Sequence, residues 1–159
     1  MDATQFKAAL SRWASGVVVV TLCGRQGRLR GVTVSSFSSL SLQPPLVLFC
    51  LGQGANIHPE FQQASHFAVN ILSDSQQALS NRFAFGKDAD PFAGVAHRPG
   101  PEGLPLLDGC LANIVCRKTV VHPAGDHDII VGEVLEAQVG QGDPLLYYQG
   151  QYQGVRKLG

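Results

Sequence analysis

Gly31–Gly54 reads GVTVSSFSSLSLQPPLVLFCLGQG, and the rest of the chain is arranged to support it. Closely spaced hydroxyls open it: Thr33, Ser35, Ser36, Ser38, Ser39 and Ser41. The pair Pro44–Pro45 follows, and then an unbroken apolar run, Leu46–Leu51. A run of that length predicts a buried strand, a wall on which a flat aromatic ring can lie. Hydroxyls beside closely approachable backbone suit a ligand carrying hydroxyl and phosphate groups. Serine and threonine are equally ordinary in strands and turns, so the hydroxyls alone do not separate ligand from scaffold.

Outward from this stretch the pattern is mostly strand. On the N-terminal side, Asp2 to Ala14 predicts a short helix, with Phe6, Leu10 and Trp13 on one stripe and Gly16 placed to end it. Val17–Cys23 is rich in β-branched residues; Gly24–Gly27 turns the chain, and Leu29–Val34 returns as the hairpin partner. On the C-terminal side, Glu60–Ala64 is weakly helical and Phe67–Leu72 reads as a strand. Ser73 and Gln76 have capping-box spacing, predicting a helix through about Phe83. Phe85–Pro105 is the least regular part, and a connection of that length predicts a lid or a subunit contact. Strands resume over Cys110–His122 and His127–Val139, around a turn at Pro123–Asp126, and Pro144–Gln149 with Tyr152 closes the chain. Hairpins without βαβ units predict a mainly β fold, an antiparallel barrel with two or three short flanking helices, as one domain over 1–159.

Composition narrows the function. Lysine plus arginine equals aspartate plus glutamate at 12 each, without a basic block, which argues against nucleic acid or an anionic membrane as partner. No apolar stretch approaches a membrane span of about 20 residues, and Met1–Gln5 lacks a secretory pattern, so a cytoplasmic address is expected. Cys23, Cys50, Cys110 and Cys116 form no CxxC pair, which weakens a zinc reading; no metal site is expected. On one strand Cys110 and Cys116 stand about 20 Å apart, too far to bridge. Free, mostly buried thiols are expected.

Gly52-x-Gly54 after an apolar strand hints at a dinucleotide fingerprint, but Ile57 stands where its third glycine belongs. Arg82 with Ser80 near a helix end suits a phosphate grip or a solvated, dipole-favoured arginine. His127, where a turn re-enters a strand, is either a surface residue or a donor beside a hydride-accepting ring; Asp126 and Asp128 are turn residues or hold the imidazole. No nucleophile–base pair supports hydrolysis.

The ordered segments Gly16–Thr21, Gly31-x-Thr33-x-Ser35–Phe37 through Pro44–Pro45, Asn56-x-x-Pro59-x-Phe61, Phe67-x-Val69–Leu72, Phe83–Ala84, Gly125–His127-x-Ile129 and Pro144–Tyr148-x-Gly150-x-Tyr152 resemble the flavin reductase-like family. The resemblance covers nearly the whole chain. It implies an FMN-binding split β-barrel, usually a homodimer, that uses NADH or NADPH to reduce FMN or FAD for a partner oxygenase. It places Val32, Thr33, Val34, Ser35 and Ser36 at the ribityl chain and ring edge, and the backbone of Phe49, Cys50 and Leu51 at the ring. Gln53, Gly54, Ala55, Asn56 and Arg82 fall toward the phosphate or adenylate end, and Phe83 is a further cofactor-binding candidate. His127, as the catalytic candidate, and Tyr152 border the nicotinamide. The rival reading is a non-catalytic flavin-binding or electron-transfer module on the same barrel.

Overall fold

Val17 to Leu22 fills the middle of the computed structural model, which describes residues 1–85, 89–156 and 158. Val18, Val20 and Leu22 face one apolar cluster with Phe49, Phe61, Phe67 and Ile130. Val17 and Val19 face a second cluster with Leu72, Phe83, Phe92 and Leu107. Burial on both faces is why this segment is apolar without alternation.

The elements are Ala3–Leu10 (α1), Ser15–Gly16 (β1), Val18–Cys23 (β2), Leu29–Val34 (β3), Ser38–Leu42 (β4), Pro45–Gly52 (β5), His58–Gln63 (α2), His66–Ile71 (β6), Gln77–Phe85 (α3), His97–Pro99 (β7), Pro105–Leu107 (β8), Ala112–Ala124 (β9), His127–Val139 (β10), Leu146–Tyr148 (β11) and Gln151–Gln153 (β12). Seven strands form the main antiparallel sheet in the order β3-β2-β6-β9-β10-β5-β4. The pair β7-β8 and the trio β1-β11-β12 are separate small sheets. The main sheet curls until β3 faces the end of β5 across a gap, and Ser36 spans it. Its hydroxyl accepts from the Cys50 N–H at 2.9 Å and donates to the Cys50 carbonyl at 3.2 Å. The barrel is split along that seam.

On the second cluster's side, a polar knot ties three strands to β8. Fully buried Asn70 donates to the Val19 carbonyl at 2.9 Å and to Thr21 Oγ1 at 3.1 Å. Its Oδ1 accepts from the Leu107 N–H at 3.0 Å and from Asn113 Nδ2 at 2.8 Å. Thr21 in turn donates to the Pro105 carbonyl at 2.7 Å. Every polar atom of the Asn70 amide is used, which is what makes its burial tolerable.

β3 and β10 fall on their predicted bounds, and the capping box forms, with the Ser73 N–H donating to Gln76 Oε1 at 3.0 Å. The strand expected over Cys110–His122 runs two residues later, Ser38–Leu42 forms a strand of its own, and three further segments differ. The first helix ends at Leu10, where the Ser11 hydroxyl turns back to the Ala8 carbonyl, so Trp13 lies beyond it. Its stripe is not buried within the chain: Phe6, Leu10 and Trp13 are 52%, 58% and 78% exposed. The Leu46–Leu51 run alternates, with Val47, Phe49 and Leu51 buried and Leu46, Leu48 and Cys50 half-buried. Within the irregular region sits the β7–β8 hairpin, closed by Glu102 and Gly103 at positive φ. Of the expected lid, residues 86–88 lie outside the described residues.

Candidate active site

The seam is built from two strand edges. β3 closes one end of the sheet, so alternate backbone groups point away from β2 into the gap. Opposite, β4 pairs with β5 only as far as Leu48, which leaves Phe49–Gly52 without a strand partner on that side. Between them lies a cleft of about 300 Å³, lined by Val32, Thr33, Val34, Ser35, Ser36, Cys50, Leu51, Gly52 and His127. That volume is at the lower end of the usual ligand-pocket range of roughly 300–1,000 Å³. A flat heterocycle with N–H and C=O groups on its edge matches the β3 wall, whose main chain can supply donors and acceptors, while on the β5 wall the Cys50 N–H and carbonyl are already taken by Ser36. The Phe49 ring points the other way, edge-on to Phe61 and Phe67 at 5.6 and 5.4 Å, and Phe49 is not among the residues that line the cleft.

His127 stands at the cleft because β10 pairs with β5 in the register His127↔Gly52. A side chain added at Gly52 would lie 3.7 Å from His127 Nε2, so the imidazole rests over a residue that has none. Its Nδ1 is 2.7 Å from Asp126 Oδ1. A carboxylate can only accept, so Nδ1 carries the proton and Nε2 faces the cleft. This hydrogen bond holds the Asp126 carboxyl below the usual aspartate range. Asp126, not Asp128, therefore holds the imidazole.

Asp128, buried beneath the same turn, has another task that the sequence did not reveal. Its Oδ1 accepts from Gln53 Nε2 at 2.9 Å, and its Oδ2 from His58 Nε2 at 2.7 Å and Gln62 Nε2 at 3.0 Å. The Gln53 bond, followed by the His58 bond, lowers its pKa. The Gln53 amide is thus turned inward, while Gly54 and Asn56 are exposed and Ala55 is half-buried.

Thr33, Val34 and Ser35 also line a second, adjoining cleft of about 270 Å³ with Ser80, Asn81, Phe85, Tyr147 and Tyr152. Tyr152 belongs to this cleft; His127 belongs to the first. The Tyr152 hydroxyl lies 2.8 Å from Ser80 Oγ and donates to Asn81 Oδ1 at 3.0 Å. The Thr33 hydroxyl donates to the Ser80 carbonyl at 2.7 Å, so its proton goes to α3. Ser36 serves the seam, and Ser35, which lines both clefts, keeps a hydroxyl unengaged among the described residues. Arg82 donates from Nε to the Pro91 carbonyl at 2.7 Å. Phe83 is buried against Phe92 at 5.1 Å and packs where Gly31 leaves room, so it shapes the wall from behind. Among the described residues no group of three His, Cys, Asp or Glu side chains is placed to hold a metal.

The flavin reductase like domain family matches residues 10–156 of this sequence. The chain belongs to the flavin reductase-like family. It is an oxidoreductase of the flavin reductase type. It is 42% identical over 151 residues to the FMN reductase (NADH) SmoA of Agrobacterium fabrum, covering 95% of this chain and 85% of that one. It is 40% identical over 152 residues to the reductase component of a 4-nitrophenol 4-monooxygenase/4-nitrocatechol 2-monooxygenase of Rhodococcus opacus, covering 96% and 80%. The fold matches the NADH:FAD oxidoreductase SgcE6 of Streptomyces globisporus in complex with NAD and FAD fragments, with a TM-score of 0.90 and 34% identity over 99% of this chain and 93% of that one.

Proposed function

We propose that this flavin reductase-like protein uses NADH to reduce FMN or FAD and supplies the reduced flavin to a partner monooxygenase. The observation that carries the reading is the seam: two strand edges with Ser35, whose hydroxyl has no partner among the described residues, and His127 lining one open cleft. Similarity to the FMN reductase (NADH) SmoA, the NADH:FAD oxidoreductase SgcE6 and the nitrophenol monooxygenase reductase component supports the hydride donor, the flavin class and the partner. Flavin held in the seam would supply the redox chemistry, as the acceptor of the nicotinamide's hydride. Val32–Ser36 and the backbone of Cys50 and Leu51 hold the ring edge and the ribityl chain. Main-chain N–H groups aimed at the seam stabilise the negative charge that reduction places there. The Gly54–Asn56 main chain and Arg82 form the phosphate end, Gln53 supports that loop from beneath, and Phe83 packs behind β3 at Gly31. His127 orients the nicotinamide through Nε2, Asp126 fixes that imidazole, and Tyr152 lines the adjoining cleft. Pairing of two copies is in keeping with the exposed Phe6, Leu10 and Trp13. A cytoplasmic address is in keeping with four free thiols.

The test is NADH and NADPH oxidation by the purified protein with FMN, FAD and riboflavin. Flavin-dependent NADH consumption is expected, and His127→Ala should lower kcat/KM for NADH about tenfold while flavin binding persists. Flavin binding without nucleotide oxidation would make the protein a flavin-binding module instead.

A further inference from the structure

Asp128 is a buried carboxylate that no step above uses, and three side-chain donors converge on it. They come from Gln53, in the loop after β5, and from His58 and Gln62 on α2. Gln53 is further tied to the turn at His127: its N–H donates to the Asp126 carbonyl at 2.9 Å, and its Nε2 lies 3.5 Å from the His127 carbonyl. One carboxylate therefore clamps the loop between β5 and α2 against the turn that carries His127. Within that loop the Ala55 N–H is used by the Gly52 carbonyl, whereas the N–H groups of Gly54 and Asn56 make no hydrogen bond among the described residues. Both residues are exposed, and Gly54 has no atom within 4 Å of where a Cβ would stand. Uncommitted main-chain donors on an open, side-chain-free stretch suit a phosphate oxygen.

We propose that Asp128 is a positioning residue: through Gln53, His58 and Gln62 it holds the Gly54–Asn56 main chain where it grips the phosphate of FMN or FAD. The inference rests on the flavin reductase reading above. It makes Asp128 a determinant of which flavin is used, although it touches none. Riboflavin, which lacks the phosphate, is indifferent to it.

The experiment measures KM and kcat with riboflavin, FMN and FAD at saturating NADH, for wild type, Asp128→Ala, Gln53→Glu and the double variant Gln53→Glu/Asp128→Asn. Melting temperatures are recorded alongside. Asp128→Ala strands three donors, and Gln53→Glu sets two carboxylates against each other. In the double variant donor and acceptor are exchanged: the introduced amide can give its NH₂ to the new carboxylate and turn its oxygen to His58 and Gln62. Each single variant should raise KM for FMN and FAD about tenfold with riboflavin unchanged, and the double variant should recover most of the loss. Should Asp128→Ala not fold, Gln53→Glu at its exposed position gives the same reading. Folded variants with a lower melting temperature but an unchanged ratio of riboflavin to FMN KM would overturn the proposal. So would an equal loss for all three flavins. A wild type inactive with every flavin would instead remove the flavin reductase reading, a result distinct from either.

Discussion

Asn70 and Ser36 meet the same need in two regions of one sheet, and they leave opposite results. Both lend side-chain atoms to main chain that strand pairing leaves unserved. At Asn70 every amide atom is used, β8 is drawn down over the sheet, and the residue is fully buried. At Ser36 a single hydroxyl holds two strand edges together at one point, and the cleft opens beside it. The difference teaches where this barrel is sealed and where it is left available: a saturated polar knot makes structure, and a sparing one makes a mouth.

The comparison breaks most visibly at Asn70. Asn70→Ala leaves the Leu107 N–H and the Asn113 amide short of an acceptor and should cost about 3 kcal/mol, at roughly 1–3 kcal/mol per stranded group. Urea unfolding reads the loss, and a variant as stable as wild type would show that the knot is not what seals this side. Ser36→Ala should cost less, about 1 kcal/mol, because only the N–H and carbonyl of Cys50 lose a partner and water can reach both. Its larger signature is functional: with the strand edges released, KM for flavin should rise severalfold while folding persists. If stability falls and KM does not move, the seam is not the ligand's seat.

The gentlest probe reads the same contrast through thiols. Burial pushes Cys110 up to about 11 and Cys116 up to about 12, so both stay protonated and inert well above neutral pH. Cys50 is half-buried on the wall of the cleft. Iodoacetamide at mildly alkaline pH, followed by peptide mass analysis, should label Cys50 ahead of Cys110 and Cys116, and added FMN should slow that labelling. Equal labelling of all three would contradict the contrast between sealed core and open seam.

Much of this was legible in the chain itself, because local signals coincided with tertiary ones. Val17–Cys23, Leu29–Val34 and His127–Val139 carry strand composition between clear turns, and each forms where its pattern begins and ends within a residue. The Ser73–Gln76 box forms because its bonds span three residues and need no distant partner. What escaped the sequence depends on contacts far along the chain. The Thr33 hydroxyl belongs to a helix 47 positions away, and Asp128 answers to Gln53, 75 positions away. Nothing near either residue encodes its partner. The β7 and β8 strands hid behind proline and glycine because they are three residues each, too short for a period to register. Tyr152 and His127 were read as neighbours of one ligand; they line two clefts that share Thr33, Val34 and Ser35.

The seam's makeup also bears on how this protein can change over generations. Main-chain amides and carbonyls are identical whichever amino acid is specified, so a site framed by them is insulated from most codon changes. Substitutions at half-buried Cys50 can accumulate without altering the main-chain atoms that face the gap, provided the strands keep their register, whereas Val34 also belongs to the core. Lineages built on this plan are free to diverge at the rim, acquiring new delivery partners while the seat inside stays the same.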